Sequence, residues 1–555
     1  MNEQRESPGA ARPITAGQVQ SEYSKGKVFK ENLGLFEQVR QNERFYLGEQ
    51  WDGLKTSKIQ PVTFNILRRV TSLFQAQVVS DDITWEIRPH NRTQTASLEG
   101  QALDAVVERV FDTQAIKTKN RKVLRNGVVD GDMCLYFTWD PDVETGQMVK
   151  GDIAAEPIMN TNVFFGDPHT TDVQGQPYIL IARRRPLATV RKEARQAGVQ
   201  DWQSIQSDTA SEYVGGEEDS PYSQVTELTR FWKEKQVIPG DPLQGIPGRT
   251  ETKVHFLRVA GEVVTQADTA TGMALYPLAW ASWIERNNCM HGVSPITEMI
   301  PTQIAINKQA TYIGAYTQNM AMPKLVYNIN RLPNGWNGDP GKAIAVAGDP
   351  REVIVNPIGG VQMPSGVFET LSTYQTMMKD CMGASDTALG NIANPDNTSA
   401  ILATQKASNA PLELQKRTFE QFNEDCVRII VDMACAYYGL RTVTVTAKQT
   451  GPDGQENRQQ MAVAVDFDRL SLGALDINVE VGAATYWSEI VAMTNMDKLM
   501  QAGLIPDPAL YLESIPNSYI PNKQDLLDAL RRAQAQAAAQ AAGQQTGPQP
   551  GQTGP

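Results

Sequence analysis

The chain is poor in the residue patterns that announce chemistry. Its five cysteines, Cys134, Cys289, Cys381, Cys426 and Cys435, are scattered and odd in number, with no CxxC pair. That supports neither a disulfide framework nor a zinc site and fits a reducing cytoplasm. Four histidines, His90, His169, His255 and His291, stand far apart with no HExxH or HxH spacing, which argues against metal ligation. The first 20 residues carry no apolar core of signal-peptide type. The longest helical apolar stretch, Val427 to Tyr438, is interrupted by Arg428 and Asp432, so neither a secretion signal nor a membrane span is expected.

Catalytic signatures fail one by one. The stretch WNGDPGKA, Trp336 to Ala343, ends in Gly-Lys but lacks the first glycine and the final Ser or Thr of a phosphate-binding loop. Ser294 in HGVSP has no second glycine of a nucleophile elbow, and Ser followed by Pro reads better as a helix cap. Carboxylates are plentiful, yet no pair of them is set as acid and base. No catalytic, cofactor-binding or metal site is expected. A net charge of −12 argues against a protein that holds nucleic acid mainly by neutralising phosphates.

What is present is size and pattern. With 555 residues, 41% hydrophobic and 21% charged, the chain has more than one domain and a large core. Residues 1–30 mix Ser, Pro, Gly and charge and read as a flexible arm, with order beginning near Phe29. PVTFNILRRV starts a helix that runs to about Val79, and Ile83 to Pro89 alternates as a strand. One long helix is expected from Glu99 to Asn126, ending in Lys117, Lys119, Arg121, Lys122 and Arg125. That cluster reads as a solvated face near a helix C-terminus, with DNA contact as the alternative. Strands are expected at Met133–Trp139, Val163–Phe165, Tyr178–Arg183, Val225–Trp232, Val254–Val259 and Leu275–Trp283. Arg183, Arg184 and Arg185 suit a solvated strand edge, or a phosphate grip, and Asp208 to Asp219 an excursion loop.

At Ser294-Pro295 the pattern becomes that of a long strut to about Met320, with Pro301 as a restart. Short strands follow between Lys324 and Pro364, then a helix from Gly366 to about Met382. The segment Ser385 to Thr398, rich in Gly, Asn, Pro and Asp, interrupts the helical pattern. Beyond it, Phe419, Phe422, Cys426, Ile430, Met433 and Tyr437 mark a helix ending at Gly439, with a kink expected at Pro411. Strands follow at Arg441–Ala447 and between Met461 and Val481, then short helices. The final stretch, Ala533 to Pro555, has no charge and is almost only Ala, Gln, Gly and Pro.

This order resembles the portal (head-to-tail connector) proteins of tailed bacteriophages. Local stretches are similar too: FYLGEQW, PVTFNILRRV, NVFFGDP, GVSPITEMIPTQIAINKQ and GASDTALGNIANPDNTSAILATQ. The resemblance covers roughly Phe36 to Ala533. It implies an α+β portal-like fold, with a mixed α/β wing, long stem helices, a small β clip insertion and a helical C-terminal crown. After the arm, residues 31–290 would be wing, 291–322 the first stem helix and 323–364 the clip. Residues 365–384 would be the second stem helix, 385–398 the channel loop, and 399–487 a kinked long helix with wing strands. Crown helices would take 488–535, and 536–555 a disordered tail.

The resemblance further implies a homo-oligomeric ring, usually of twelve, at one capsid vertex of the virion, assembled in the host cytoplasm. Double-stranded DNA would pass through it during packaging and ejection. Large terminase would dock on it, then head-tail adaptor or tail proteins, with major capsid and scaffold proteins as further partners and no membrane. Channel-loop candidates are Ser385, Asp386, Gly390, Asn391, Asn394, Pro395, Asp396 and Asn397. Docking candidates are Asn334, Trp336, Asn337 and Asp339, and the candidate DNA contacts are Lys308 and Lys379. The lumen is expected to be weakly charged, with Asn307, Gln309, Thr317 and Gln318 of the first strut toward it. The alternatives are a nucleic-acid-processing enzyme with a site of dispersed carboxylates and a non-portal virion structural subunit.

Overall fold

The computed structural model describes residues 13–51, 60–79, 83–89, 94–147, 149–208, 223–238, 249–321, 324–327, 329–330, 347–349, 355–358, 363–383, 412–450, 456–470 and 475–481. The chain divides into one unit of residues 1–79 and 84–480 and a second of residues 80–83 and 481–555; the packing described below belongs to the first. It is mixed α and β.

Three helices open the described chain: α1 (Ala16–Leu33), α2 (Leu35–Leu47) and α3 (Ile66–Val78). Strand β1 (Ile83–Pro89) leads to α4 (Gln94–Thr113) and α5 (Ile116–Asp130). The single long helix expected over Glu99–Asn126 is therefore two. Ala115 breaks it in the left-handed region at φ 48°, a conformation that no local Gly or Pro signals.

The sheets follow. Strands β2 (Asp132–Asp140) and β3 (Asp152–Pro157) pair antiparallel, and β2 also pairs with β9 (Leu278–Ser282), in the order β3-β2-β9. A five-stranded antiparallel meander runs through β4 (Val163–Phe165), β5 (Tyr178–Pro186), β6 (Gln224–Ile238), β7 (Arg249–Ala260) and β8 (Val263–Ala270). Its register sets Tyr178 opposite Trp232 and Phe231 opposite Phe256. Helix α6 (Leu187–Gln196) covers its end through Val190 and Ala194, which pack with Val225 and Ala260.

The core lies between the two sheets. Cys134, Tyr136, Leu278 and Trp280 of one meet Val163, Phe165, Ile179, Ile181 and Phe231 of the other. The alternate residues Phe164, Leu180 and Ala182 point to the opposite face and need a second cover, as period-two geometry requires. Helix α1 supplies it with Ala16, Val19 and Tyr23. This corrects the flexible arm expected over residues 1–30: from Ala16 onward the chain is a helix, capped by Thr15, because an apolar sheet face has to be buried.

The remaining elements are β10 (Ile284–Arg286), β11 (Cys289–Val293), α7 (Pro295–Ala321), β12 (Lys324–Tyr327), β13 (Val355–Ile358), α8 (Gly366–Cys381), α9 (Glu413–Tyr437), β14 (Leu440–Thr450), β15 (Glu456–Asp466) and β16 (Leu475–Val481). Helix α9 packs its Phe419, Phe422, Cys426, Ile430 and Met433 stripe inward, as its spacing predicts. Pro411 and any bend at it lie outside the described residues.

Candidate channel and assembly site

Helix α7 starts where its sequence says. Ile296 N donates to Ser294 Oγ at 3.1 Å, and that hydroxyl donates to Val128 O at 2.7 Å, so Ser294 is a buried helix cap. The expected restart at Pro301 is absent: Pro301 lies inside one helix of 27 residues, about 40 Å long at 1.5 Å per residue. Strands β12 and β13 then pair antiparallel, Lys324 opposite Ile358 and Tyr327 opposite Val355, and the chain returns through α8, which packs on α7. Met363 N donates to Tyr316 Oη at 3.0 Å and fixes the return.

The first half of α7 is bound by a polar ladder. Gln303, Asn307 and Thr311, four residues apart, share one face, and all three are buried. Ile66 N donates to Gln303 Oε1 at 3.3 Å, Phe64 N to Asn307 Oδ1 at 3.1 Å and Val62 N to Thr311 Oγ1 at 3.0 Å. Four helical residues rise about 6 Å. Two extended residues rise about 6.6 Å, so the rungs stay in step. Gln303 Nε2 returns a bond to Phe64 O at 2.6 Å, and Asn307 Nδ2 donates to Gln50 Oε1 at 2.5 Å. Asn307 was expected toward a lumen; it faces inward instead, because extended backbone needs partners for its amides. Thr317 and Gln318 are exposed, and Gln309 is half-buried.

The second half of α7 and most of α8 have no such cover. Tyr312 is 62% exposed and Met320 47%; on α8 Phe368 is 54%, Tyr374 37% and Met377 58%. Tyr374, Met377 and the exposed Cys381 recur at steps of three and four on one face. Charge is sparse: α7 carries only Glu298 and Lys308, and α8 Glu369, Lys379 and Asp380. Lys308 is exposed, one turn before Tyr312, and Lys379 is half-buried in the last turn of α8. Each lies about 13 residues, or roughly 20 Å, from the end of its helix that meets the β12–β13 pair.

Where α5, β2, β11 and α7 converge, the chain ties itself with buried charge. Asp132 is buried and accepts four bonds: from Gly292 N at 2.8 Å, Ser282 Oγ at 2.9 Å, Asn160 Nδ2 at 2.9 Å and His291 Nδ1 at 3.1 Å. Burial lowers the His291 pKa, opposed by its bond to Asp132, so the ring is neutral with its proton on Nδ1. Gly131, at φ 98°, suits glycine: a side chain would be strained there, and a Cβ would stand 3.2 Å from Gly292 O and Ser294 N. Lys30 of α1 reaches Asn160 O, Thr161 O and Val163 O at 2.8, 2.9 and 2.5 Å, over the ring of Phe164. Burial pulls its pKa well down, but three carbonyl acceptors match the three N–H bonds of an ammonium, which holds the charge in place. Asp130 is pushed up to about 8, by burial first and then by Glu43.

A family profile described as phage P22-like portal protein matches residues 33–553. The chain belongs to this portal family. No curated protein matches it. The family is one of phage virion components that work as an oligomeric ring associated with the capsid, and it is typically structural rather than enzymatic.

In this portal protein the channel-loop candidates Ser385, Asp386, Gly390, Asn391, Asn394, Pro395, Asp396 and Asn397 lie outside the described residues. The docking candidates Asn334, Trp336, Asn337 and Asp339, the phosphate-loop near-match, the crown and the tail also lie outside them. The arginine triplet is committed internally: Arg183 to Glu156, Arg184 to Asp208, and Arg185 to Glu193 and Glu227. His169 bonds Asn288 O and His255 bonds Asp268. Among the described residues no group of three or more His, Cys, Asp or Glu could hold a metal, and no helix is long and apolar enough to cross a membrane.

Sequence reading missed the ladder and the junction. A polar stripe at i, i+4 and i+8 through an otherwise apolar helix was the signal for Gln303, Asn307 and Thr311. Lys30 gave none, since a buried lysine in a polar helix reads as a solvated one.

Proposed function

We propose that this portal protein forms the ring through which double-stranded DNA enters and leaves the capsid, with twelve copies as the number usual in the family. In this reading α7 and α8 are the stem, residues 323–364 the clip that receives large terminase and then adaptor or tail proteins, and 385–398 the channel loop. Residues 488–535 form the crown. Capsid and scaffold proteins meet the outside of the ring.

The observation that carries this reading is the α7–α8 pair, bridged by antiparallel strands and bearing Tyr312, Met320, Tyr374 and Met377 exposed on a single chain. A water-facing apolar face on paired helices calls for a partner, and a neighbouring copy supplies one on both sides in a closed ring. Helix charge supports passage of DNA: with so few cations along the pair, few phosphates are neutralised, so the grip stays weak enough for sliding. Lys308 and Lys379 are the described cations placed to steer the backbone.

Removal of Gly390 to Asn397 tests the loop assignment. Rings should assemble as in the wild type while packaging or retention of DNA fails. Normal genome length and infectivity in that deletion would overturn it.

A further inference from the structure

A cavity of about 140 Å³ lies beside the Asp132 junction, between α1, β4 and β11. Its walls are aromatic: Phe29 of α1, Phe164 and Phe165 of β4 and Tyr178 of β5. Helix α1 comes close to β4 because residue 26 is glycine; a Cβ there would stand 2.8 Å from Phe164 Cδ1. The volume is that of a single aromatic ring, since an apolar cavity of about 150 Å³ takes up benzene. Aromatic walls favour an aromatic guest, through edge and offset contacts.

One polar atom in this cavity is left over from the junction. His291 lines it and is only 1% exposed. Its Nδ1 donates to Asp132 at 3.1 Å, the side chain's only hydrogen bond among the described residues. With the proton on Nδ1, Nε2 carries a lone pair and accepts, and the carboxylate behind the ring strengthens that lone pair. The cations of the cavity offer little in return. Lys30 spends its three N–H bonds on Asn160 O, Thr161 O and Val163 O, and Lys25 is exposed at the edge. A carboxylate inside would face the lone pair with no donor to bind it, and an ammonium would face the Lys30 charge. A neutral O–H or N–H donor meets neither penalty.

We propose that this cavity binds a neutral aromatic ligand of phenol size, its ring against Phe29, Phe164 and Phe165 and its hydroxyl donating to His291 Nε2. Every residue of the site comes from one chain, so the site does not depend on ring formation. A ligand held there joins α1 to β4 and β11, and by binding only the folded chain it stabilises the junction. The same chemistry comes from a free small phenol or from a tyrosine side chain of another polypeptide.

The test is calorimetric titration of the full-length protein, with saturation-transfer NMR on the ligand, using phenol, toluene, benzoate and N-acetyltyrosinamide at about pH 7, where phenol is neutral. Phenol should bind with a Kd at or below about 1 mM. In His291→Phe the ratio of phenol to toluene affinity should fall at least about threefold, because only phenol loses a hydrogen bond. Phe29→Ala, which leaves the junction alone, should weaken both ligands at least about threefold through lost ring contact. Native mass and circular dichroism verify that each variant is folded. N-acetyltyrosinamide binding more tightly than phenol assigns the ligand to a polypeptide, and weaker binding assigns it to a free small molecule. No phenol binding by the wild type up to about 10 mM, undiminished binding in Phe29→Ala, or an unchanged ratio in folded His291→Phe would overturn the proposal. So would benzoate binding as tightly as phenol, which would make this an anion site.

Discussion

The junction around Asp132 and the far ends of α7 and α8 treat their surfaces in opposite ways. At the junction every strong group on Asp132 and Lys30 finds its partner inside the same chain, through bonds that bring residues 30, 132, 160 and 291 together. Along the helix pair, large apolar side chains face water. The first region is complete in one copy and the second is not. Helix α7 belongs to both, held by its ladder up to Thr311 and carrying exposed Tyr312 and Met320 beyond it. A rigid body that grips one half of a helix and offers the other half to a neighbour is what a ring subunit needs.

The largest effect should come from charging the bare face. Tyr374→Asp combined with Met377→Asp should abolish oligomers in native mass spectrometry. Being surface changes, each should shift single-chain stability by no more than about 0.5 kcal/mol. An intact ring would break the contrast outright.

Asp132→Ala should do the reverse. It leaves the buried Gly292 amide and the His291 ring without their acceptor and takes one of two acceptors from Asn160 and Ser282, with a loss of about 3–5 kcal/mol in denaturant unfolding. A loss below about 1 kcal/mol would mean that the junction is no tighter than the helix pair.

Asn307→Leu should cost about 1–3 kcal/mol, because the Phe64 amide and the Gln50 side chain lose a partner. Hydrogen exchange should then quicken at Phe64 before it does in the sheets. Equal protection would show that the ladder does not anchor α7.

The last effect is a slope in pH. Asp130 is raised from 3.8 to about 8, so the folded chain holds a proton that the unfolded chain releases. Its contribution to stability is full below about pH 4 and is lost as pH rises toward 8. Asp130→Asn should remove that decline and stabilise the protein at pH 8. His291 acts in the opposite sense, since its lowered pKa makes acid destabilising below about 6.5, and it should keep that behaviour in the variant.

Much of this fold was legible because local rules and packing agree. Ile83–Pro89 alternates and is a strand; Ser294-Pro295 caps α7; Gly366 opens α8; Gly439, at φ 58°, follows α9. What could not be read depends on contacts distant in sequence. Strand β3, Asp-Ile-Ala-Ala-Glu-Pro, has little intrinsic strand preference and exists through pairing with β2. Helix α1 looked like an arm because its apolar residues are few, yet the sheet face it covers needs only those few. The basic run on α5 was misplaced because nothing local marks the break at Ala115. Of the candidate site, sequence identified the two long helices and their β insertion but not which face of α7 is inward, since Asn307 is polar and buried.

The most direct measurement is negative-stain imaging of the purified full-length protein together with its native mass. A closed ring with a central hole, at a mass that is a whole multiple of one subunit and near the twelve copies proposed above, is the predicted result. A monomer, a trimer or an open filament at working concentration would contradict the claim that α7 and α8 are completed by neighbouring copies in a ring.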